Sequence, residues 1–353
     1  MTRSEKIRAI LDERGLDAII LSGELNQRYA TGYKFSDGLV LVTREHIYML
    51  TDFRYEEEAR KYASADVEVI VPPTKFAFIA DSLSGSPKRV GYEDAVLSCA
   101  EFSKMKRTLT DFDFYPISEA LSSVREVKDE GELECIDRAQ QITDAAFSHL
   151  LSIMTPDMTE IEVALELEFF MKRSGAESLA FETIAVSGDA SALPHGKPRN
   201  LKLLPGFFTM DFGAVVDGYC SDMTRTVIIG RADDEMRRLY STVLSAQREA
   251  LDVICEGMEC HLVDTIARNI INGSGYSGCF GHGLGHGVGM YIHEAPRLSP
   301  RGDAKLRAGQ VVTVEPGIYI TGKYGCRIED MVAVTTNGCR NFTKSPKELI
   351  ELF

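Results

Sequence analysis

Twice along this chain a carboxylate stands inside a run of strand-forming residues, and each time a second carboxylate follows on the returning arm of the same hairpin. The first case is Phe207-Phe208-Thr209-Met210-Asp211-Phe212-Gly213, a turn around Val216-Asp217-Gly218, and a return from Tyr219 to Ile229 that carries Asp222. Asp222 comes eleven residues after Asp211. With the turn centred near Asp217, the two acids are cross-strand or diagonal neighbours on one sheet face. The second case is Val311-Val312-Thr313-Val314-Glu315-Pro316-Gly317, a loop centred on Gly322, and Cys326-Arg327-Ile328-Glu329-Asp330-Met331-Val332. Glu315 and Glu329 are symmetric about Gly322. Facing carboxylates repel unless a proton or a cation lies between them. One such acid reads as a solvated side chain beside a turn; two facing pairs in one domain favour a metal site.

Between the hairpins lies Gly281-His282-Gly283-Leu284-Gly285-His286-Gly287-Val288-Gly289-Met290-Tyr291-Ile292-His293-Glu294. Its glycines rule out a regular helix, so His282 and His286 are not a helical i,i+4 zinc pair. Glycine instead allows close backbone approach and positive φ. Three of the seven histidines fall within the twelve residues from His282 to His293, and His195 adds a fourth in Leu193-Pro194-His195-Gly196-Lys197. One imidazole with four carboxylates is a hard, oxygen-rich donor set, better suited to Mn²⁺, Co²⁺ or Fe²⁺ than to a structural zinc. Four negative charges balance two divalent cations, which bridging carboxylates hold roughly 3.5–4 Å apart. A hydroxide between such ions exists at neutral pH and is a competent nucleophile.

The 353 residues exceed what one core usually organises, which predicts two domains. The first ~120 alternate between helix and strand patterns, as in an α/β domain: a helix over 4–14, strands over Ala18–Leu21, Leu39–Val42 and Ile47–Leu50, a helix over Glu56–Tyr62, a strand over Val67–Val71, a helix over Lys75–Leu83 and a strand over Arg89–Tyr92. Beyond residue 120 the spacing predicts long helices over Glu130–Met154, Asp234–Glu256 and Leu262–Ile271. Another is capped by Thr159 with Glu162 as its capping-box partner. The order helix, helix, hairpin, helix, helix, hairpin suggests one unit used twice. A net charge of −14 argues against nucleic acid or anionic lipid as the main partner. No apolar run approaches the ~20 residues of a membrane span, and the charged N-terminal stretch lacks a signal-peptide core. A cytoplasmic protein is expected, and the eight cysteines, without paired spacings, read as free thiols.

Together, D-F-G-(x)8-D-M-T-R-T, G-H-G-x-G-H-G-V-G-x-x-x-H-E, V-E-P-G-I-Y and R-I-E-D resemble the pita-bread metallopeptidases, within them the aminopeptidase P and prolidase group, over the whole chain. The resemblance implies an α+β architecture: a pita-bread catalytic domain at 123–353 preceded by a smaller creatinase-type α/β domain at 1–122. It implies Asp211, Asp222, His286, Glu315 and Glu329 as metal ligands, with Asp222 and Glu329 bridging and Glu315 also serving as general base or proton shuttle. His293 and His195 would contact the substrate carbonyl and the tetrahedral intermediate, and His282 and Arg327 would line the pocket and orient the ligands. Two divalent ions per chain, Mn²⁺ or Co²⁺ ahead of Fe²⁺ or Zn²⁺, peptide substrates and a homodimer belong to the same implication. The expected reaction is hydrolysis of the N-terminal peptide bond, with proline after it, by an Xaa-Pro aminopeptidase or dipeptidase. A broader aminopeptidase taking Met, Ala or Ser N-termini is the rival within enzymology. A non-catalytic peptide-binding protein on the same fold is the rival outside it. The full acid set argues against the second rival, and against creatine-type chemistry.

Overall fold

Ala18–Leu21 is the most uniformly apolar run near the N-terminus, and all four of its side chains are fully buried. That is the pattern of a strand covered on both faces. The computed structural model describes residues 2–84 and 88–353, and the chain divides into two compact units, Met1–Arg125 and Glu126–Phe353. In the first unit, Ala18–Leu21 lies inside a six-stranded sheet ordered Val67–Ile70, Ile47–Leu50, Leu39–Val42, Ala18–Leu21, Lys88–Tyr92, Phe112–Pro116. Leu39–Val42 runs antiparallel to both neighbours, and the other pairings are parallel. The helices Arg3–Arg14, Phe53–Tyr62 and Lys75–Ser82 stand where apolar spacing places them.

Two helices of this unit escape that spacing. Glu24–Thr31 turns Asn26, Gln27 and Thr31 inward, and Gln27 Nε2 donates to the carbonyls of Leu21 (3.2 Å) and Gly38 (3.0 Å). Its inner face is largely polar, so hydrophobic periodicity does not reveal it. Cys99–Thr108 buries only Met105, and its signature is the capping box of Ser98 and Glu101.

The second unit uses one arrangement twice. Helices Glu130–Ile153 and Glu160–Arg173 cover a sheet ordered Glu351–Leu352, Met223–Ile229, Gly206–Phe212, Ile184–Ser187. Helices Asp234–Asp252 and Cys260–Ile271 accompany a sheet ordered Glu294–Leu298, Gly285–Gly287, Val311–Val314, Asp330–Thr335, Gly338–Asn341. Each half has its own apolar core between helices and sheet. Matching single bridges precede each second helix, Thr159 to Lys202 and Glu259 to Lys305. Thr159 caps its helix reciprocally with Glu162. Among the described residues the eight cysteines form no disulfide. Among the described residues no helix is long and apolar enough to cross a membrane.

Candidate metal centre

The first acidic hairpin is set by its turn. Asp217 (φ 49°) and Gly218 (φ 84°) are both left-handed, as a two-residue turn of type I′ requires. From there Val216 pairs with Tyr219, Phe212 with Met223, and Asp211 with Thr224. Asp222 is therefore the diagonal neighbour of Asp211 on the same face.

In the second hairpin Gly317–Ile320 pairs with Tyr324–Arg327, and Val311–Val314 pairs with Asp330–Thr335 in the same register. Glu315 and Glu329 occupy the gap between these ladders, opposite each other. Freed from the ladder, the Glu315 N–H donates to Leu284 O (2.8 Å) and the Glu329 N–H to Thr224 O (3.1 Å). These two bonds stitch the hairpin to the glycine–histidine segment and to the first hairpin. Side chains complete the join. Thr224 Oγ1 accepts from Arg327 Nε (2.9 Å) and donates to Glu329 Oε2 (2.7 Å), and buried Arg225 pairs with Asp330 at 2.9 Å.

His286 arrives on the strand Gly285–Gly287. A Cβ on Gly285 would lie 2.0 Å from Thr313 O, and one on Gly287 2.1 Å from Ala295 O. The close approach that these glycines allow is thus to neighbouring strands rather than to a ligand. A carbonyl can only accept, so His286 Nδ1 carries the hydrogen that it gives Gly287 O (3.1 Å). The Nε2 lone pair then faces Asp222 Oδ2 at 3.6 Å and Glu315 Oε1 at 3.4 Å. Burial pushes this imidazole down to about 3, so it is neutral at physiological pH.

Lone pairs therefore face one another across this space. Ligand atoms of Asp222, His286 and Glu329 lie within 4.8 Å of one another. Arg327 Nη2 donates to Asp211 Oδ2 at 2.5 Å, whereas Asp211 Oδ1 is buried with no hydrogen-bond partner among the described residues. Burial, then repulsion from the other acids, raises the carboxyls of Asp222 and Glu329 well above the usual range. Burial likewise raises Glu315 to about 7, against the pull of Arg327. A divalent cation reverses each of these costs at once. The donor set, the orphaned oxygen and the aimed Nε2 all fit bound cations.

A cavity of about 590 Å³ opens onto this cluster. The structure brings all nine anticipated residues to it: His195, Asp211, Asp222, His282, His286, His293, Glu315, Arg327 and Glu329. The His293 ring stands edge-to-face on His286 with centroids 4.5 Å apart. His282 Nδ1–H donates to Gly283 O (2.8 Å), so its Nε2 accepts from Tyr319 OH (2.9 Å), which accepts from Arg327 Nη1 (2.9 Å). Burial pushes His282 down to about 4 and Tyr319 up to about 12. A fixed chain thus runs from Asp211 through Arg327 and Tyr319 to His282. Tyr319 and Thr224 lie inside the V-E-P-G-I-Y and D-M-T-R-T motifs, but no spacing rule marks them. Arg297 was not visible as a site residue at all. It sits opposite His286 in the ladder and lines the cavity, and its side chain makes no hydrogen bond or ion pair among the described residues.

Residues 134–336 match the model of metallopeptidase family M24, and residues 3–127 match the creatinase/prolidase N-terminal domain. The chain belongs to metallopeptidase family M24. Every residue of the centre lies within the M24 match. The M24 chain is 34% identical to an Xaa-Pro dipeptidase of Pyrococcus horikoshii over 98% of both chains. It superposes on an Xaa-Pro dipeptidase from Bacillus anthracis with TM-score 0.93 and 40% identity over 99% of both chains. It superposes on an X-Pro aminopeptidase from Thermotoga maritima with TM-score 0.92 and 35% identity, over 99% of this chain and 100% of that one. The M24 enzyme is therefore a hydrolase with a pita-bread C-terminal domain behind a creatinase-type N-terminal one.

Proposed function

We propose that this M24 enzyme hydrolyses the N-terminal bond of Xaa-Pro substrates, with two divalent cations held by Asp211, Asp222, His286, Glu315 and Glu329. Four carboxylates converging with one aimed, neutral imidazole carry the reading. When bound, the cations supply Lewis acidity and a water that ionises near neutral pH. Glu315 takes up the proton of the attacking water at Oε1, which Thr313 Oγ1 steadies at 3.3 Å, and hands it to the departing amine nitrogen. His293 and His195 border the cavity from exposed positions, which supports a role for them as donors to the carbonyl oxygen as charge develops on it.

If His293 works through that oxygen, His293→Ala keeps its metal and loses turnover. Removal of one such donor costs on the order of 10²–10³-fold in kcat. Metal content measured beside rate checks the assignment, and a metal-free His293→Ala protein would contradict it.

An Xaa-Pro bond has no N–H, and the proline ring fixes its own backbone, so recognition falls to shape. Phe181, Pro194 and Ile292 give the cavity apolar wall for such a ring, and the named activities of the relatives support the same choice. A pocket difference of this kind is worth ~1–3 kcal/mol, so kcat/KM for Ala-Pro should exceed that for Ala-Ala at least about tenfold. Equal rates would remove proline and leave a broader metallopeptidase; no turnover on any peptide would leave a binding protein. Unpartnered Arg297 favours dipeptidase over aminopeptidase, because a dipeptide brings a free carboxylate into the cavity that a bidentate guanidinium suits. The same assay should then rank Ala-Pro above Ala-Pro-Ala. We extend the reading to a homodimer, supported by an exposed stripe of Ile161, Leu165 and Phe169 along one helix.

A further inference from the structure

Three histidines border the cavity outside the tight cluster: His195, His282 and His293. Each lies on an irregular segment, and each segment is tied at its base to an acid–base pair whose acid is buried and which does not itself border the cavity. For His282 the pair is Asp264 and Arg268 on the helix Cys260–Ile271, joined by two bonds of 2.8 Å. Arg268 then donates from Nη1 to Phe280 O (2.7 Å) and from Nη2 to His282 O (2.8 Å), while the Leu284 N–H donates to Asp264 Oδ1 (3.0 Å).

For His195 the pair is Glu160 and Arg199. Glu160 accepts from the Ser187 N–H and hydroxyl, both at 2.7 Å, and from the Arg199 N–H at 2.8 Å. The Arg199 guanidinium adds bonds of 2.9 and 2.7 Å to the same carboxylate and one of 2.8 Å to Ser187 O. One carboxylate thus closes the loop 187–199 at both ends. For His293 the pair is Lys128 and Glu294, 3.2 Å apart with side chains 1% and 5% exposed. Glu294 Oε1 also takes the Tyr291 N–H at 3.2 Å.

Stability alone does not explain these pairs, since well-packed apolar side chains commonly do as well as a buried ion pair. What they supply is direction. An irregular segment has no ladder to take its backbone groups, and a planar guanidinium that holds two carbonyls two residues apart fixes the orientation of the peptides between them.

We propose that Asp264–Arg268, Glu160–Arg199 and Lys128–Glu294 are positioning residues for peptide hydrolysis, holding His282, His195 and His293 toward the cavity without touching substrate or cation. The proposal rests on the hydrolase reading above. Misplacing a reacting group by 1 Å costs on the order of 10²-fold, so a loosened clamp shows in turnover before it shows in folding.

Arg268→Lys and Arg199→Lys keep the charge and remove the fork, and Glu294→Gln keeps the shape and removes the charge. Each should lower kcat on Ala-Pro roughly tenfold or more while KM, metal content and Tm stay near wild type. Asp264→Asn replaces Arg268→Lys if the latter does not fold. Each variant is also combined with alanine at its own histidine. Acting through that histidine, Arg268→Lys costs nothing further in the His282→Ala background; losses that multiply would overturn the proposal.

Imidazole proton–nitrogen NMR signals provide a readout independent of peptide cleavage. The His282 signals should move in Arg268→Lys and the His195 signals in Arg199→Lys, each without the other. Unmoved signals overturn the positioning role whether or not the protein cleaves peptides. Moved signals in the variants, with a wild type that cleaves no peptide, would sink the hydrolase reading and keep the positioning.

Discussion

Glu329→Ala is expected to strip the protein of cation and of activity together. Glu329 is 1% exposed, stands opposite Glu315 in the break between two ladders, and accepts from the Thr224 hydroxyl that Arg327 also holds. Its position beside both Asp222 and Glu315 would let this carboxylate serve both of the proposed ions. Alanine there removes one negative charge of four and leaves that hydroxyl without its acceptor. Lewis-acid stabilisation is worth several kcal/mol, and at about 1.4 kcal/mol per decade its loss is on the order of 10³-fold in kcat/KM. Metal analysis should show fewer than two ions per chain. A fully loaded, active Glu329→Ala protein would end the bridging assignment.

Chelation is the second large effect. Peptide hydrolysis should fall below roughly 1% and return with Mn²⁺ or Co²⁺, because the chain's own groups lack an equivalent electrophile. Stability should follow. Ligand at 100 times its Kd adds about 2.7 kcal/mol, and for a unit of this size each kcal/mol is about 2–4 °C in Tm, giving roughly 5–10 °C. The pH profile should change too. In the stripped protein burial raises Asp222, Glu329 and Glu315, the last from 4.5 to about 7. The folded state then binds more protons than the unfolded chain between those values, so the stability of the stripped protein falls as pH rises through that window. Loaded protein should not show that slope. Full activity after complete stripping would defeat the metal reading outright.

The fold of the second unit was largely legible in the sequence because its helices carry wide apolar faces and its strands are β-branched. In the first unit Glu24–Thr31 was not, since its inner face is largely polar and Gln27 reaches backbone carbonyls instead of apolar side chains. The centre was legible for a related reason. An acid in an apolar strand has no local explanation, and hairpin geometry places its partner, as Asp211 and Asp222 or Glu315 and Glu329 show.

The sequence by itself determined the donor chemistry: four carboxylates on two hairpins, a glycine–histidine segment too glycine-rich to be a helix, and motifs shared with one enzyme family. Local spacing suffices for these, because turns and strands fix neighbours within some fifteen residues. Only the tertiary structure decided which histidine points its lone pair into the cluster, that Arg327 and Tyr319 link Asp211 to His282, that the Arg297 side chain reaches the cavity with no hydrogen bond or ion pair among the described residues, and that acid–base pairs tie the segments carrying the outer histidines. Those relations join residues far apart in the chain, as Glu329 and Thr224 or Lys128 and Glu294 are. Packing of one half against the other brings them together, and no periodicity along the chain records it.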